Sequence, residues 1–205
     1  MKRYRLALVA FGALGVLLAG VPALAALAPG AKAPDFTAKA SLAGKNFTFS
    51  LKQALNKGPV VVYFYPAAYT GGCDLEAHTF ATEKDKFVAA GATIIGVSAD
   101  SLQRLDSFSA DPKYCAGKFP VASDPHGRIA ATYGLKLMPP QPGVKDVRGV
   151  TVHHGFIPRT TFVIGADGTI VASFSSSADH LTPDQHVSRS LAIVRRLHAA
   201  EAKAN

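Results

Sequence analysis

The sequence predicts an α/β domain built on a central mixed β-sheet flanked by helices, and three observations carry that expectation. Residues 60–65 (VVVYFY) and 93–98 (TIIGVS) are uncharged runs rich in β-branched and aromatic residues, as strands buried on both faces require. A helix-length segment separates them, and strand, helix, strand makes a βαβ unit with its strands parallel. Residues 160–164 and 169–174 flank Gly165-Ala166-Asp167-Gly168, the pattern of an antiparallel hairpin. Parallel strands joined by a helix, then a hairpin and a closing helix, describe a mixed sheet.

The elements follow in order. Residues 26–34 form a Pro/Gly/Ala lead-in, and short alternating runs on either side of Ala43-Gly44-Lys45 suit a first hairpin within residues 36–50. Pro59 opens the first buried strand. A helix is expected over residues 73–90, with Ala77, Phe80, Ala81, Phe87 and Val88 towards one side and Gly91 as terminator. After the second buried strand come a helix over residues 101–109 and a short one over 127–133, and the Pro-rich run 138–143 is a loop insertion. Thr182, Pro183 and Gln185 supply an N-cap, a first-turn proline and a capping-box partner for the last helix. Val187, Leu191, Val194 and Leu197 make its buried stripe.

Composition bounds the function. A chain of 205 residues with 48% hydrophobic and 18% charged residues is one globular domain of moderate size, which excludes a disordered or collagen-like chain. Two cysteines exclude a disulfide-dense scaffold and a four-cysteine zinc site, leaving chemistry for one thiol or one pair. The formal charge of +8 is no nucleic-acid signature, because Lys2, Arg3 and Arg5 belong to an acid-free N-terminal segment and the rest carries +5. Those three residues precede an apolar run over 6–21, then Pro22 and the small-x-small site Ala23-Leu24-Ala25. This is the three-part pattern of a secretory signal, so residues 1–25 are expected to be a signal peptide and 26–205 the mature domain, exported to the periplasm or the extracellular space. The alternative is an uncleaved membrane anchor. No cysteine stands at the cleavage site, so there is no lipoprotein signal.

The chemistry gathers where the first buried strand ends. Pro66-Ala67-Ala68-Tyr69-Thr70-Gly71-Gly72-Cys73 leads from that strand into the start of a helix, where free backbone N–H groups and the helix dipole favour a thiolate. Cys73 is therefore expected to titrate below a free thiol, with Gly71 and Gly72 leaving room for a substrate and Thr70 offering a hydroxyl. The alternative is a buried, inert cysteine.

Pro66-x-x-x-Thr70-x-x-Cys73 after an aromatic strand resembles the peroxiredoxin active-site motif. Further resemblance runs in order through Ala33-Pro34-Asp35-Phe36, Gly96-Val97-Ser98-Ala99-Asp100-Ser101, Phe119-Pro120-Val121-Ala122-Ser123-Asp124, Tyr133-Gly134-Leu135 and Arg159-Thr160-Thr161-Phe162-Val163-Ile164. It covers most of the mature chain and is closest to the peroxiredoxin Q (bacterioferritin comigratory protein) branch. The resemblance implies a thioredoxin-like fold and a thiol peroxidase that needs no metal, flavin or haem. It implies Cys73 as the peroxidatic nucleophile, Thr70 as a hydroxyl donor, Arg159 as a charged clamp and Pro66 as a shield. Glu76 matches a carboxylate that orients the arginine, although a first-turn acid also serves as a plain dipole partner. The implied partners are a peroxide and a thiol reductant, a thioredoxin-like protein or small thiol, acting on a monomer or homodimer.

Two departures from the branch bear on the mechanism. Many members carry a resolving cysteine five residues after the peroxidatic one, where this chain has His78. Others carry it on the next helix, and Tyr114-Cys115-Ala116 resembles that version, which makes Cys115 the candidate resolving cysteine. The second departure is Gly71-Gly72 where a proline often precedes glycine, which predicts a more mobile loop. His153-His154 fits no recognised ligand spacing and reads as a surface or core pair. Two readings from other classes stand beside the peroxidase. An exported disulfide exchanger wants Cys-x-x-Cys, but Thr70 and Glu76 occupy the partner positions. A copper-handling domain wants a second cysteine near Cys73, and residues 74–78 offer none.

Overall fold

The computed structural model describes residues 26–204, so the segment read as a signal peptide lies outside the described residues. Twelve elements follow in order: β1 (Thr37–Leu42), β2 (Lys45–Ser50), α1 (Leu51–Leu55), β3 (Val60–Phe64), α2 (Gly71–Ala89), β4 (Thr93–Ser98), α3 (Leu102–Ala110), β5 (Val121–Ser123), α4 (Arg128–Thr132), β6 (Thr160–Ile164), β7 (Ile170–Ser175) and α5 (Pro183–Ala204). The strands form one seven-stranded sheet in the order β2-β1-β5-β4-β3-β6-β7. Its centre, β5-β4-β3, is parallel, while β6 runs antiparallel to β3 and both hairpins are antiparallel. This is the expected mixed sheet.

Successive β3 side chains feed opposite cores, which is why the run carries no polar alternation. Val61 and Tyr63 join Phe80 and Phe87 of α2, Leu105 and Phe108 of α3, and Val187 and Val194 of α5 on one face. Val60, Val62 and Phe64 pack with Leu51 of α1, Ala130 of α4, Tyr133 and Phe162 on the other. The first hairpin turns through Ala43 and Gly44, at φ 51° and 75°, the left-handed pair that a two-residue turn between twisted strands needs. α5 starts as expected, with the Thr182 amide donating to the Gln185 side chain at 3.0 Å.

Four details differ from the sequence reading. α1, capped by the Ser50 hydroxyl, and the three-residue β5 are too short to leave a periodic signal. α2 begins at Gly71, two residues before the expected start, so both glycines belong to the helix's first turn rather than to a loop. Val88 faces solvent at 54% exposure, because the buried stripe of α2 runs through Cys73, Glu76, Ala77, Phe80 and Phe87. Among the described residues, no helix is long and apolar enough to cross a membrane.

Candidate active site

The site forms at the carboxyl end of β3. Pro66 ends the strand, and the chain turns through Ala67 and Ala68 to Tyr69, a non-glycine residue held at φ 61°. Thr70 is the N-cap of α2, and Cys73 is its third residue. The register of β3 against β6 pairs Phe64 with Thr160, so Tyr65 and Arg159 leave the sheet side by side. That pairing brings Arg159 to a cysteine 86 positions away in sequence.

Arg159 Nη2 lies 3.2 Å from Cys73 Sγ, while its Nη1 donates to Glu76 Oε2. One guanidinium therefore spans the thiol and a carboxylate one helical turn further on. The approach is close enough that a Cβ on Gly72 would stand 3.2 Å from Arg159 Nη2 and 3.3 Å from Pro183 Cγ, which explains the glycine. The Thr70 hydroxyl makes no cap bond and donates to the Ala67 carbonyl at 2.7 Å in this arrangement. Pro66 and Thr70 are half-buried. The structure thus brings Thr70, Cys73, Glu76 and Arg159 into one cluster, with Pro66 in the segment that leads from β3 to it.

Burial dominates the electrostatics. Cys73 is only 3% exposed, and burial pushes its thiol up; Arg159, the Ala67 backbone and the Thr70 hydroxyl pull it back without cancelling the rise. The expectation of a thiol below its ordinary value is not met with Cys73 buried in this way, because lost hydration outweighs the arginine and the hydrogen bonds. Glu76 is fully buried, with Oε1 unpartnered, and is pushed up to about 7 by burial against the pull of Arg159. Arg159 is itself held above its ordinary value: burial opposes its charge, and Glu76 and Cys73 favour it more strongly.

Cys115 does not join the cluster. Both cysteines are free and buried, and the two are not near each other. The Cys115 thiol is pushed well up by burial, then by the charges of Asp111 and Asp74. His78, at the position of the missing cysteine, contacts the carbonyl of Lys113 in the Cys115 segment at 3.1 Å through Nδ1. Among the described residues, no three His, Cys, Asp or Glu side chains group as a metal site.

A polar bracket behind the cluster was not anticipated from sequence. Asp100 accepts from the Ala68 amide at 2.8 Å, and Arg104 donates to the Ala68 carbonyl at 2.7 Å. Arg104 also pairs with Asp146 at 2.9 Å, and the Val147 amide donates to the Tyr69 carbonyl. Arg148 stacks 3.3 Å from the Tyr69 ring centroid. Asp100, just beyond the carboxyl end of a buried parallel strand, was the available signal, since ligand sites of such sheets gather there.

A buried thiol paired with an arginine at the end of a central strand, on this sheet order, defines a thiol-dependent redox enzyme. The chain belongs to the AhpC/TSA family, whose model matches residues 29–173, and it is a peroxiredoxin-type thiol peroxidase. Chloroplastic peroxiredoxin Q of Gentiana triflora is 31% identical over 174 residues, covering 84% of this chain and 69% of that protein. The crystal structure of the peroxidoxin BcpB from Mycobacterium tuberculosis superposes with a TM-score of 0.67 at 28% identity, covering 83% of this chain and 97% of that one. The bacterioferritin comigratory protein of Xanthomonas campestris gives 0.60 at 28% identity, covering 78% and 91%. The thioredoxin-like fold follows from these likenesses.

Proposed function

We propose that Cys73 is the peroxidatic nucleophile and that the observation carrying this role is the Arg159 bridge between its sulfur and Glu76. The Cys73 thiolate attacks one peroxide oxygen. A sulfur–oxygen bond forms as the O–O bond breaks, and the departing oxygen takes up a proton and leaves as water or alcohol, with Cys73 left as a sulfenic acid. Arg159 favours the thiolate and the charge developing on the departing oxygen, and Glu76 holds the guanidinium in register. The Thr70 hydroxyl, which bonds the Ala67 carbonyl here and pulls the Cys73 thiol down, turns to the peroxide oxygens when substrate enters, and Pro66 shields the sulfur. The substrate on this reading is hydrogen peroxide or an organic hydroperoxide; the Xanthomonas relative is described for alkyl peroxide reduction.

Cys115 then resolves the sulfenic acid within one chain, forming a disulfide and releasing water. With the sulfurs apart, the first turn of α2, the 111–117 segment, or both must open first, because a disulfide needs Cα atoms within about 7 Å. The turn at Ala116 and Gly117, both at positive φ and outside regular structure, favours movement on the Cys115 side. A thiol reductant restores the enzyme, which acts as a monomer or homodimer outside the cytoplasm once residues 1–25 are removed. Intact mass and peptide mapping after one equivalent of peroxide test the resolving step in wild type, Cys73→Ser and Cys115→Ser. A Cys73–Cys115 disulfide is expected in wild type alone; a persistent Cys73 sulfenic or sulfinic acid with Cys115 still alkylated refutes it.

A further inference from the structure

The turn that presents Thr70 and Cys73 is not held by its own sequence. Tyr69 occupies the left-handed region, which an L-residue with a Cβ disfavours, so its surroundings must fix it. The residue before it, Ala68, has both backbone groups bound, its amide to Asp100 and its carbonyl to Arg104. Asp100 is the centre of this fastening and is fully buried. Its Oδ2 accepts from the Ala68 amide at 2.8 Å and the Ser98 hydroxyl at 2.7 Å, while its Oδ1 faces Arg104 Nε and His154 Nε2, each at 2.8 Å.

His154 comes from the long 138–156 segment and is one of the pair that sequence alone left without a role. Its two ring nitrogens meet two acceptors. Nε2 lies 2.8 Å from the Asp100 carboxylate and Nδ1 lies 2.7 Å from the Gly155 carbonyl. A carbonyl has no proton to give, and neither has a carboxylate. A neutral imidazole has one N–H and one lone pair, so it satisfies only one of these contacts and turns a lone pair on the other acceptor. Both contacts together require the doubly protonated ring.

We propose that His154 is a positioning residue of the peroxide pocket: as an imidazolium it locks the 138–156 segment onto Asp100, and through Asp100 it holds the Ala68 amide and the turn carrying Thr70 and Cys73. The proposal rests on the reading of Cys73 as the peroxidatic centre. The charged and titratable groups around the ring are consistent with it. Asp100 faces it directly, Arg104 opposes it from α3, and the Asp146–Arg148 pair lies beyond Arg104. His153 is its chain neighbour, and the carboxylate of Asp124, at the end of β5, is committed to the amides of Arg128 and Ala130. Burial pushes the ring down, yet the hydrogen bond and charge of Asp100, with the Gly155 carbonyl, carry it above its ordinary value against burial and Arg104. Protons reach it from a cavity of about 370 Å³ lined by Ser101, Arg104, Thr151, His153 and His154.

A folded-state value above the unfolded one means that the stabilisation is complete at low pH and is lost as pH rises through the folded value. Deprotonation removes the ring's charge facing Asp100 and leaves one N–H for two acceptors, so either Asp100 or the Gly155 carbonyl meets a lone pair, the bracket loosens and the turn relaxes. Peroxide reduction is therefore expected to fall on the alkaline side even though more Cys73 is thiolate there.

The test is a proton NMR titration of the histidine C2 signals in the full chain, with His154 assigned by its absence from His154→Gln. Alongside it, second-order rate constants with hydrogen peroxide are measured from pH 5 to 9 for wild type, His154→Gln and His154→Leu. The expected results are a His154 midpoint above the ordinary value of about 6.5, and variants about 10-fold slower at acid pH, within the range that misplaced reacting groups produce. The variants should also lose the alkaline fall, which a merely structural role would not remove. A His154 midpoint at or below the ordinary value, or variant pH profiles that superimpose on wild type after scaling, overturns the proposal. If one variant fails to fold, the other still assigns the His154 signal, and the wild-type titration decides. Undiminished peroxide consumption by Cys73→Ser would refute the Cys73 reading and leave the His154 midpoint measurable, so the two failures are distinguishable.

Discussion

Replacing Arg159 with alanine removes the cation that, among the described residues, contacts the Cys73 sulfur. At the 3.2 Å separation of Nη2 and Sγ, Coulomb's law with an effective dielectric constant near 20 gives an attraction of about 5 kcal/mol for a thiolate. Part of this is offset. Glu76, already pushed up to about 7, takes a proton once its partner is gone, so the thiolate loses a repulsive charge together with the attractive one. With roughly half of the attraction surviving this exchange, the net loss is ~2–3 kcal/mol, or about 100-fold in rate. That agrees with the roughly 10²–10³-fold cost of deleting one donor to a developing anion. Stopped-flow measurement of the second-order rate constant with hydrogen peroxide reads the loss directly. The pH midpoint of Cys73 alkylation should move further up in the same variant, and near-UV circular dichroism checks the fold. A correctly folded Arg159→Ala with a rate within about threefold of wild type would refute the electrostatic reasoning.

Three further outcomes follow from the same geometry. Thr70→Val keeps the shape of a side chain that makes no cap bond, so its expected ~10-fold slower peroxide reaction, measured by the same stopped-flow assay, reports the lost hydroxyl rather than a lost helix. His186 is buried between the Thr161 and Ser176 hydroxyls, at 2.9 Å from each, and is pushed down to about 4 by burial and Arg159. Because the folded ring resists protonation, its contribution to stability is complete above the ordinary histidine value of about 6.5 and is lost as pH falls towards 4, so the gap in urea midpoint between wild type and His186→Leu should narrow over that window. Gly96→Ala sets a Cβ 2.6 Å from Tyr63 Cζ, in a ring stacked between Tyr65 and Phe80 with nowhere to retreat; thermal unfolding should show a loss of ~1–3 kcal/mol.

Much of the fold was legible in sequence because the central strands advertise themselves. β3 and β4 are buried on both faces, so their composition alone separates them from helices and half-exposed strands. The capping pattern of α5 and the Ala43-Gly44 turn are local signals, and both appear where expected. β5 leaves no sequence signal because three residues carry no period. The start of α2 is hidden in the sequence because two glycines in a first turn look like a loop; a Cβ on Gly72 would crowd Arg159. The cluster around Cys73 was approached through a motif and a resemblance, which supplied the residues without their electrostatics. The high thiol of Cys73 comes from tertiary burial, which a helix-start argument does not contain. The bracket of Asp100, Arg104, Asp146 and His154 joins segments up to 54 positions apart, and its residue types are ordinary when taken singly.

Peroxide consumption by wild type and Cys73→Ser, with a dithiol reductant supplied and the metal-free protein used throughout, tests the central claim most directly. The account predicts catalytic turnover by wild type and none by Cys73→Ser, although the variant retains the fold and keeps Arg159 and Glu76 in place. Turnover by Cys73→Ser at the wild-type rate would contradict it.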